Sequence, residues 1–249
     1  MGAGSQTVSR AMELLRLLAC GQEHGVRLTD LVQMSGLNRP TVHRLLKTLI
    51  AEGVAEQDEL TRKYLIGHDI GLLGLARSKQ TRIEKIAEPY LLELAEQTGD
   101  TVFLSIRNRQ DSVCISRHTG HHPIQVLSIE VGVRRPLGIG VSGIALLSCL
   151  SLEESEKLIS LNKTRLHALG DSETRVRDRV ARARTHGYAY AEKGLMQGTS
   201  AIAIPIQNKV ETPTAAITIT AMANRLSEKR LQQVLSLMQQ QALQLNHAL

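Results

Sequence analysis

The chain has 249 residues, 42% hydrophobic and 22% charged, with a formal net charge of +6, enough for one large or two small buried cores. With 2% aromatic residues, one phenylalanine and no tryptophan, it cannot be a single-strand nucleic-acid binder built on stacked rings. It has no apolar run of the roughly 18 residues a membrane span needs. The start MGAGSQTVSRAMELL has no signal-peptide pattern, so the expected location is the cytoplasm, with no membrane partner. Three scattered cysteines, Cys20, Cys114 and Cys149, fit a reducing compartment and offer no CxxC metal site. The charge is +2 before residue 80 (10 Lys/Arg, 8 Asp/Glu) and +4 after it (20 against 16), so it is no basic tail, and it permits a polyanionic partner.

Taken in chain order, TVSRAMELLRLLAC at 7–20 has apolar residues at helical spacing with one wide face. LTDLVQMSG follows, with Thr29 as the expected N-cap and Gly36 as the stop. Only Leu37 and Asn38 separate it from RPTVHRLLKTLIAEG, where Asn38 is the expected cap and Pro40 sits harmlessly in the first turn. Val42, Leu45, Leu46, Leu49 and Ile50 then mark a buried face, and Gly53 ends the helix. The opposite face carries Arg39, Thr41, His43, Arg44, Lys47 and Thr48, and no acid occurs between Asp30 and Glu52. A solvated helix usually mixes signs to gain i,i+4 pairs, so a one-sign face points to a polyanion. Strands are expected at 54–57 and 63–66 around the turn DELTR. Three helices and a hairpin are the order of a winged helix-turn-helix, whose second close-paired helix enters the major groove of double-stranded DNA. The candidate DNA-binding residues are Thr29, Arg39, Thr41, His43, Arg44, Lys47, Arg62 and Lys63, the last two placed on the hairpin to meet phosphate.

A connecting helix is expected over 68–81, then a second one ending near residue 98, which Pro89 kinks or restarts. From Asp100 alternation takes over. TVFLSIRN, SVCISRH, PIQVLSIE, YAYAE, SAIAIPIQ and AAITITAM read as strands, with helices at about 141–160 and 173–186 and an amphipathic one closing the chain from Leu226 to His247. The order is mixed α+β. The expected domains are therefore 1–67, 68–81 as a linker helix, and 82–249.

PLGIGVSGIALL matches G-x-G-x-x-G at Gly138, Gly140 and Gly143. A dinucleotide fingerprint needs a buried strand just before the glycines and an acid about 20 residues on. Here EVGVRRP precedes them and the acid-free SLNKTRLHAL lies in that later window. Ser142 is no nucleophile elbow, because Ile144 stands where glycine is required. Two readings stay open: backbone N–H groups at a helix start facing a ligand, or a tight loop needed for packing. Thr218 and Thr220 share one strand face and either line a polar pocket or meet solvent. His121 and His122, adjacent on the chain, are a poor metal pair, and no catalytic residue, metal ligand or cofactor is assigned.

These segments resemble the IclR family of bacterial transcriptional regulators over essentially the whole chain: TVSRAMELLRLLA, LTDLVQMSGLNRPTVHRLLKTLIAEGVAE and KYLIG first, then EQTGD, RRPLGIGVSGIALL, HGYAY, SAIAIPI and AAITIT. The resemblance implies a GAF-like effector-binding domain with an antiparallel sheet, assembly as a homodimer or homotetramer, and a palindromic operator. It implies an effector pocket containing Val141, Ser142, Ala201, Thr218 and Thr220. Members that bind small keto acids have an aspartate where this chain has Ala191, with Glu192 beside it as the remaining acidic candidate. The usual histidine and lysine of the preceding loop are replaced by Gly138 and Ile144, which implies a larger or aromatic acid effector. The alternatives are a DNA-binding protein whose second domain only oligomerises, and a nucleotide-binding enzyme.

Overall fold

The computed structural model describes residues 6–21, 24–76, 82–206 and 215–249, and these form two compact units that divide near residue 80. In the first unit, helices α1 (Gln6–Leu18), α2 (Leu28–Ser35) and α3 (Arg39–Ala51) precede a hairpin of β1 (Ala55–Gln57) and β2 (Tyr64–Ile66), and α4 (His68–Leu75) follows. Leu14, Leu31, Val42 and Leu46 are fully buried at the centre of its core. On α3, Val42, Leu45, Leu46 and Leu49 are buried as the helical spacing expects, whereas Ile50, expected on the same face, is exposed. Gly36 ends α2 in the left-handed conformation at φ 66°, and its N–H donates to the Val32 carbonyl. Two residues later the Asn38 side chain accepts from the Thr41 N–H at 2.9 Å and caps α3.

Thr29 is not the cap expected of it. Val26 bridges Tyr64, and the extended chain carries through Arg27 into α2 with no side-chain cap. Thr29 lies within the first turn, its hydroxyl donating to Asp30 Oδ1 at 3.2 Å. A strand bridge, invisible in local spacing, sets where this helix begins. Of the expected linker helix 68–81, α4 covers His68–Leu75, and positions 77–81 lie outside the described residues.

In the second unit come α5 (Arg82–Thr98), β3 (Thr101–Asn108), β4 (Asp111–His118), β5 (Arg134–Pro136), α6 (Gly140–Ser148), α7 (Leu152–Leu161), α8 (Lys163–Ala168) and α9 (Glu173–His186). Then follow β6 (Ala189–Ala191), β7 (Thr199–Ile206), β8 (Ala215–Met222) and α10 (Glu228–Ala248). The strands form one antiparallel sheet in the order β5-β4-β3-β8-β7-β6. Side chains alternate between its faces. Ile202, Ile204, Ile217 and Ile219 pack with α5 and α10 on one face; Ala201, Ala203 and Ala216 pack with α6 and α9 on the other.

Three expectations change. Residues 123–130 form no strand: Gln125 ties this stretch down instead, its Nε2 donating to the Gly99, Gly120 and His122 carbonyls and its Oε1 accepting from Thr101. The edge of β4 is taken by β5. The helix expected over 141–160 breaks after α6, because the Ser151 hydroxyl caps the Glu154 N–H and starts α7 afresh. Pro89, by contrast, does not divide α5, which runs through it as one helix.

Two buried carboxylates tie the unit together. Asp100, between α5 and β3, is bound by Arg225 Nε at 2.8 Å and Arg230 Nη2 at 2.6 Å, so the segment after β8 is held to the start of β3. Asp111, at the β3–β4 turn, is bound by Arg165 at 2.7 Å and Arg134 at 3.2 Å. Removing one partner of a buried pair leaves the other uncompensated and costs about 3–5 kcal/mol. The two arginines on Asp100 are each 25% exposed, so Asp100→Ala is expected to cost about 3 kcal/mol, at the low end of that range; equilibrium urea unfolding of the two proteins reads the difference.

Candidate functional site

Helix α3 presents two unlike faces. Val42, Leu45, Leu46 and Leu49 are buried, whereas Arg39, His43, Arg44 and Lys47 are exposed and Thr41 is half-buried at the margin. At about 100° per residue, His43, Lys47 and Arg44 fall together in the middle of the exposed arc. Arg39, Arg44 and Lys47 have no ion-pair partner among the described residues, so their charge is uncommitted. Thr29, also exposed, lies on the partner helix α2.

The hairpin holds Arg62 and Lys63 near its tip. Asp58 Oδ1 accepts from the Thr61 N–H at 2.6 Å and from its hydroxyl at 2.7 Å, and these bonds hold its carboxyl below the usual range. Arg62 takes a positive φ of 58°, with its N–H donating to the Asp58 carbonyl and its own carbonyl accepting from Gln57 Nε2. The turn therefore presents an exposed arginine on a well-bonded backbone. A helix in the major groove with a hairpin against the flanking backbone is how such a unit meets duplex DNA.

The second unit contains a cavity of about 440 Å³, within the size of small-molecule sites. Its floor is the small-residue face of the sheet: Ala201 pairs in register with Thr220, and Ala203 with Thr218. Ala201, Thr218 and Thr220 line it, as do Val141 and Ser142 from the first turn of α6. Ser142 accepts from the Ser112 hydroxyl at 3.4 Å. The Thr218 hydroxyl is buried and has no hydrogen-bond partner among the described residues. An unpartnered buried hydroxyl is costly, and Thr218 is one of the residues that line the cavity.

Glu192 is not on that wall. It follows Ala191, which does line the cavity, but it lies past the end of β6 and its side chain is exposed. Its carbonyl accepts from Ser200 at 2.6 Å, a structural bond.

Of the two readings left open for the glycines, close packing is met at Gly138 and Gly143. Gly138, at φ 108°, would bring a Cβ to 3.0 Å from Val176, and a Cβ on Gly143 would stand 3.0 Å from the Gly138 nitrogen, so close packing demands them. Gly140, at φ 71°, also lines the cavity, next to Val141 and Ser142. The first turn of α6, whose N–H groups have no intrahelical acceptors, therefore borders the space. The strand before it, β5, is a three-residue edge of an antiparallel sheet, not the strand of a βαβ dinucleotide unit.

Spacing did not pick out the cationic wall. Arg135, Arg179, Arg182 and Lys193 all line the cavity, with His186, and among the described residues no aspartate or glutamate lines it. Arg134 and Arg135 diverge by strand alternation: the first binds Asp111, the second faces the cavity. Positions 179, 182, 183 and 186 share one face of α9, at spacings of three and four. That basic stripe was present in the sequence but reads as an ordinary solvated face until the sheet is placed opposite it.

A helix-turn-helix head with an acid-free reading helix, joined in one chain to a cavity-bearing α+β unit, defines a DNA-binding transcriptional regulator. Comparison with known proteins specifies which kind. Residues 7–59 match the IclR helix-turn-helix domain, and residues 76–247 match the bacterial transcriptional regulator IclR C-terminal domain. The glycerol operon regulatory protein of Streptomyces coelicolor is 31% identical over 229 residues, 91% of this chain and 88% of that protein. The structure of an IclR family transcriptional regulator from Brucella abortus superposes with a TM-score of 0.79 at 20% identity, over 99% of this chain and 93% of that one. An IclR homolog from Microbacterium hydrocarbonoxydans, complexed with 4-hydroxybenzoate, superposes with a TM-score of 0.61 at 19% identity, covering 98% of each chain. The chain belongs to the IclR family of bacterial transcriptional regulators. These relatives are regulators rather than enzymes. Among the described residues no helix is long and apolar enough to cross a membrane.

Replacing Thr218 by valine removes the orphan hydroxyl at nearly constant shape. Without ligand, Thr218→Val is expected to be at least as stable as the parent, gaining up to about 1 kcal/mol, measured by the urea midpoint; binding of a small acid should weaken in the same variant.

Proposed function

We propose that this chain is a ligand-responsive regulator that binds a palindromic operator as a homodimer or homotetramer and acts in the cytoplasm. Residues 1–67 are the DNA-binding domain, 68–81 the linker, and 82–249 the GAF-like effector-binding and oligomerisation domain. Arg44, His43 and Lys47 enter the major groove with Arg39 and Thr41 nearby, Thr29 supports them from α2, and Arg62 with Lys63 contacts phosphate. Arginine discriminates guanine by paired hydrogen bonds, and basic groups on phosphate add affinity by releasing counterions. Association of two heads is supported by α4, none of whose residues is buried and which exposes Leu72, Leu73 and Leu75.

The effector is a small organic carboxylate. The observation that carries this reading is the cavity itself: cationic walls without a carboxylate, a helix N-terminal turn, and an unpartnered threonine hydroxyl on the floor. Val141, Ser142, Ala201, Thr218 and Thr220 contact the ligand, with Ile139, Ile144, Tyr188 and Leu195 supplying apolar surface. Ala191 in place of an acid leaves room for a larger acid, and the relative bound to 4-hydroxybenzoate supports that size. Binding there shifts the population of arrangements of the DNA heads, and operator affinity changes with it.

Titrating the operator at fixed salt tests the DNA half: Arg44→Ala is expected to cost about 1–3 kcal/mol and relax sequence preference, whereas Arg62→Ala weakens all sequences alike. Equal operator affinity for Arg44→Ala and the parent would count against the assignment. A thermal-shift screen of small carboxylic and aromatic acids tests the other half, since a ligand selective for the folded state raises the midpoint.

A further inference from the structure

The cavity draws its charges from both edges of the sheet. In the order β5-β4-β3-β8-β7-β6, strands β5 and β6 are opposite edges. Arg135 reaches the cavity from β5, and Lys193 reaches it from just beyond β6. Five inter-strand steps of about 4.8 Å separate those edges, about 24 Å along a flat sheet. Curvature and two long side chains shorten that gap, but a single carboxylate, with both oxygens on one carbon, cannot touch both ends. Between them the floor is uncharged: Ala201, Thr218 and Thr220.

The cations differ in their commitments. Arg179 is already paired with Asp171, and Arg135 donates to the Ser128 carbonyl at 3.3 Å as well as lining the cavity. On the β6 side, Arg182 of α9 joins Lys193, since α9 packs against β6. Both are exposed, and neither has a hydrogen-bond or ion-pair partner for its side chain among the described residues. Like charges facing one space without a counter-charge repel, and an anion between them removes that cost.

We infer that the effector is an elongated dicarboxylate. One carboxylate sits at Arg135 and the first turn of α6, the carbon skeleton lies over Ala201 and Thr218, and the second carboxylate lies between Arg182 and Lys193. This rests on the carboxylate-effector reading above and adds the second charge and its position.

Calorimetry on the full chain with matched probes tests it: octanedioate against octanoate, and terephthalate against 4-methylbenzoate. The diacid of at least one pair is expected to bind about tenfold tighter than its monoacid, the increment of one further charge-assisted contact, with the preference shrinking as salt rises because the outer pair is exposed. In the double variant Arg182→Ala/Lys193→Ala, whose sites are on the surface, the ratio of diacid to monoacid affinity should fall to near one. Monoacids binding as tightly as diacids would overturn the dicarboxylate while leaving the carboxylate reading intact. A diacid preference that persists in the double variant would overturn the assignment of its second site. Absence of binding by all four acids would remove the effector reading, and the dicarboxylate with it.

Discussion

The alternation of β7 and β8 is the constraint on which the second unit depends. Strand geometry sends successive side chains to opposite faces. These two strands put isoleucine on one face and alanine or threonine on the other. The isoleucine face is closed: α5 and α10 pack over it, and Leu91, Leu94, Met238 and Leu245, each fully buried, complete its core. The alanine face cannot be filled in that way, because its side chains are short. Helices α6 and α9 pack against its margin, and the unfilled volume between them is the cavity. A one-residue slip in register would exchange the two faces and destroy core and cavity together.

Charge is handled by the same economy in both units. The buried carboxylates Asp100 and Asp111 each hold two arginines, so those cations are spent inside the fold. The arginines and lysine around the cavity are not opposed by any acid in its wall, and the exposed face of α3 is equally free of acids. Surface ion pairs contribute little to stability, so leaving Arg182, Lys193 and the cations of α3 without an ion-pair partner among the described residues costs the fold little. Cations without an acid opposite them leave a positive potential at both places, and such a potential favours anions from outside the fold.

Much of this was legible along the chain. The three helices of the head, the hairpin after them, and the strands 101–108 and 215–222 follow from apolar periodicity and turn residues, as does the acid-free face of α3. So does the sharing of one face by Thr218 and Thr220. The Ser151 cap that splits 141–160 is local, but other misplaced features were decided by partners distant in sequence. The start of α2 is set by the bridge between Val26 and Tyr64, and the stretch 123–130 is claimed by Gln125 bonding across to Gly99 and Thr101. Glu192 is next to a cavity-lining residue in sequence, but it lies in the bend after β6 and is exposed.

Periodicity, capping residues and a run without acids are local properties, so they could be read from neighbours a few positions apart, and they were enough for the class of fold and the DNA-reading helix. The cavity is different in kind. Arg135, Arg179, Arg182 and Lys193 come from three separate elements spanning nearly 60 positions, and in isolation each is an unremarked surface cation. Only the antiparallel sheet, by placing its edges and α9 around one floor, makes them a single electrostatic site, because charges act through distance in space and not along the chain.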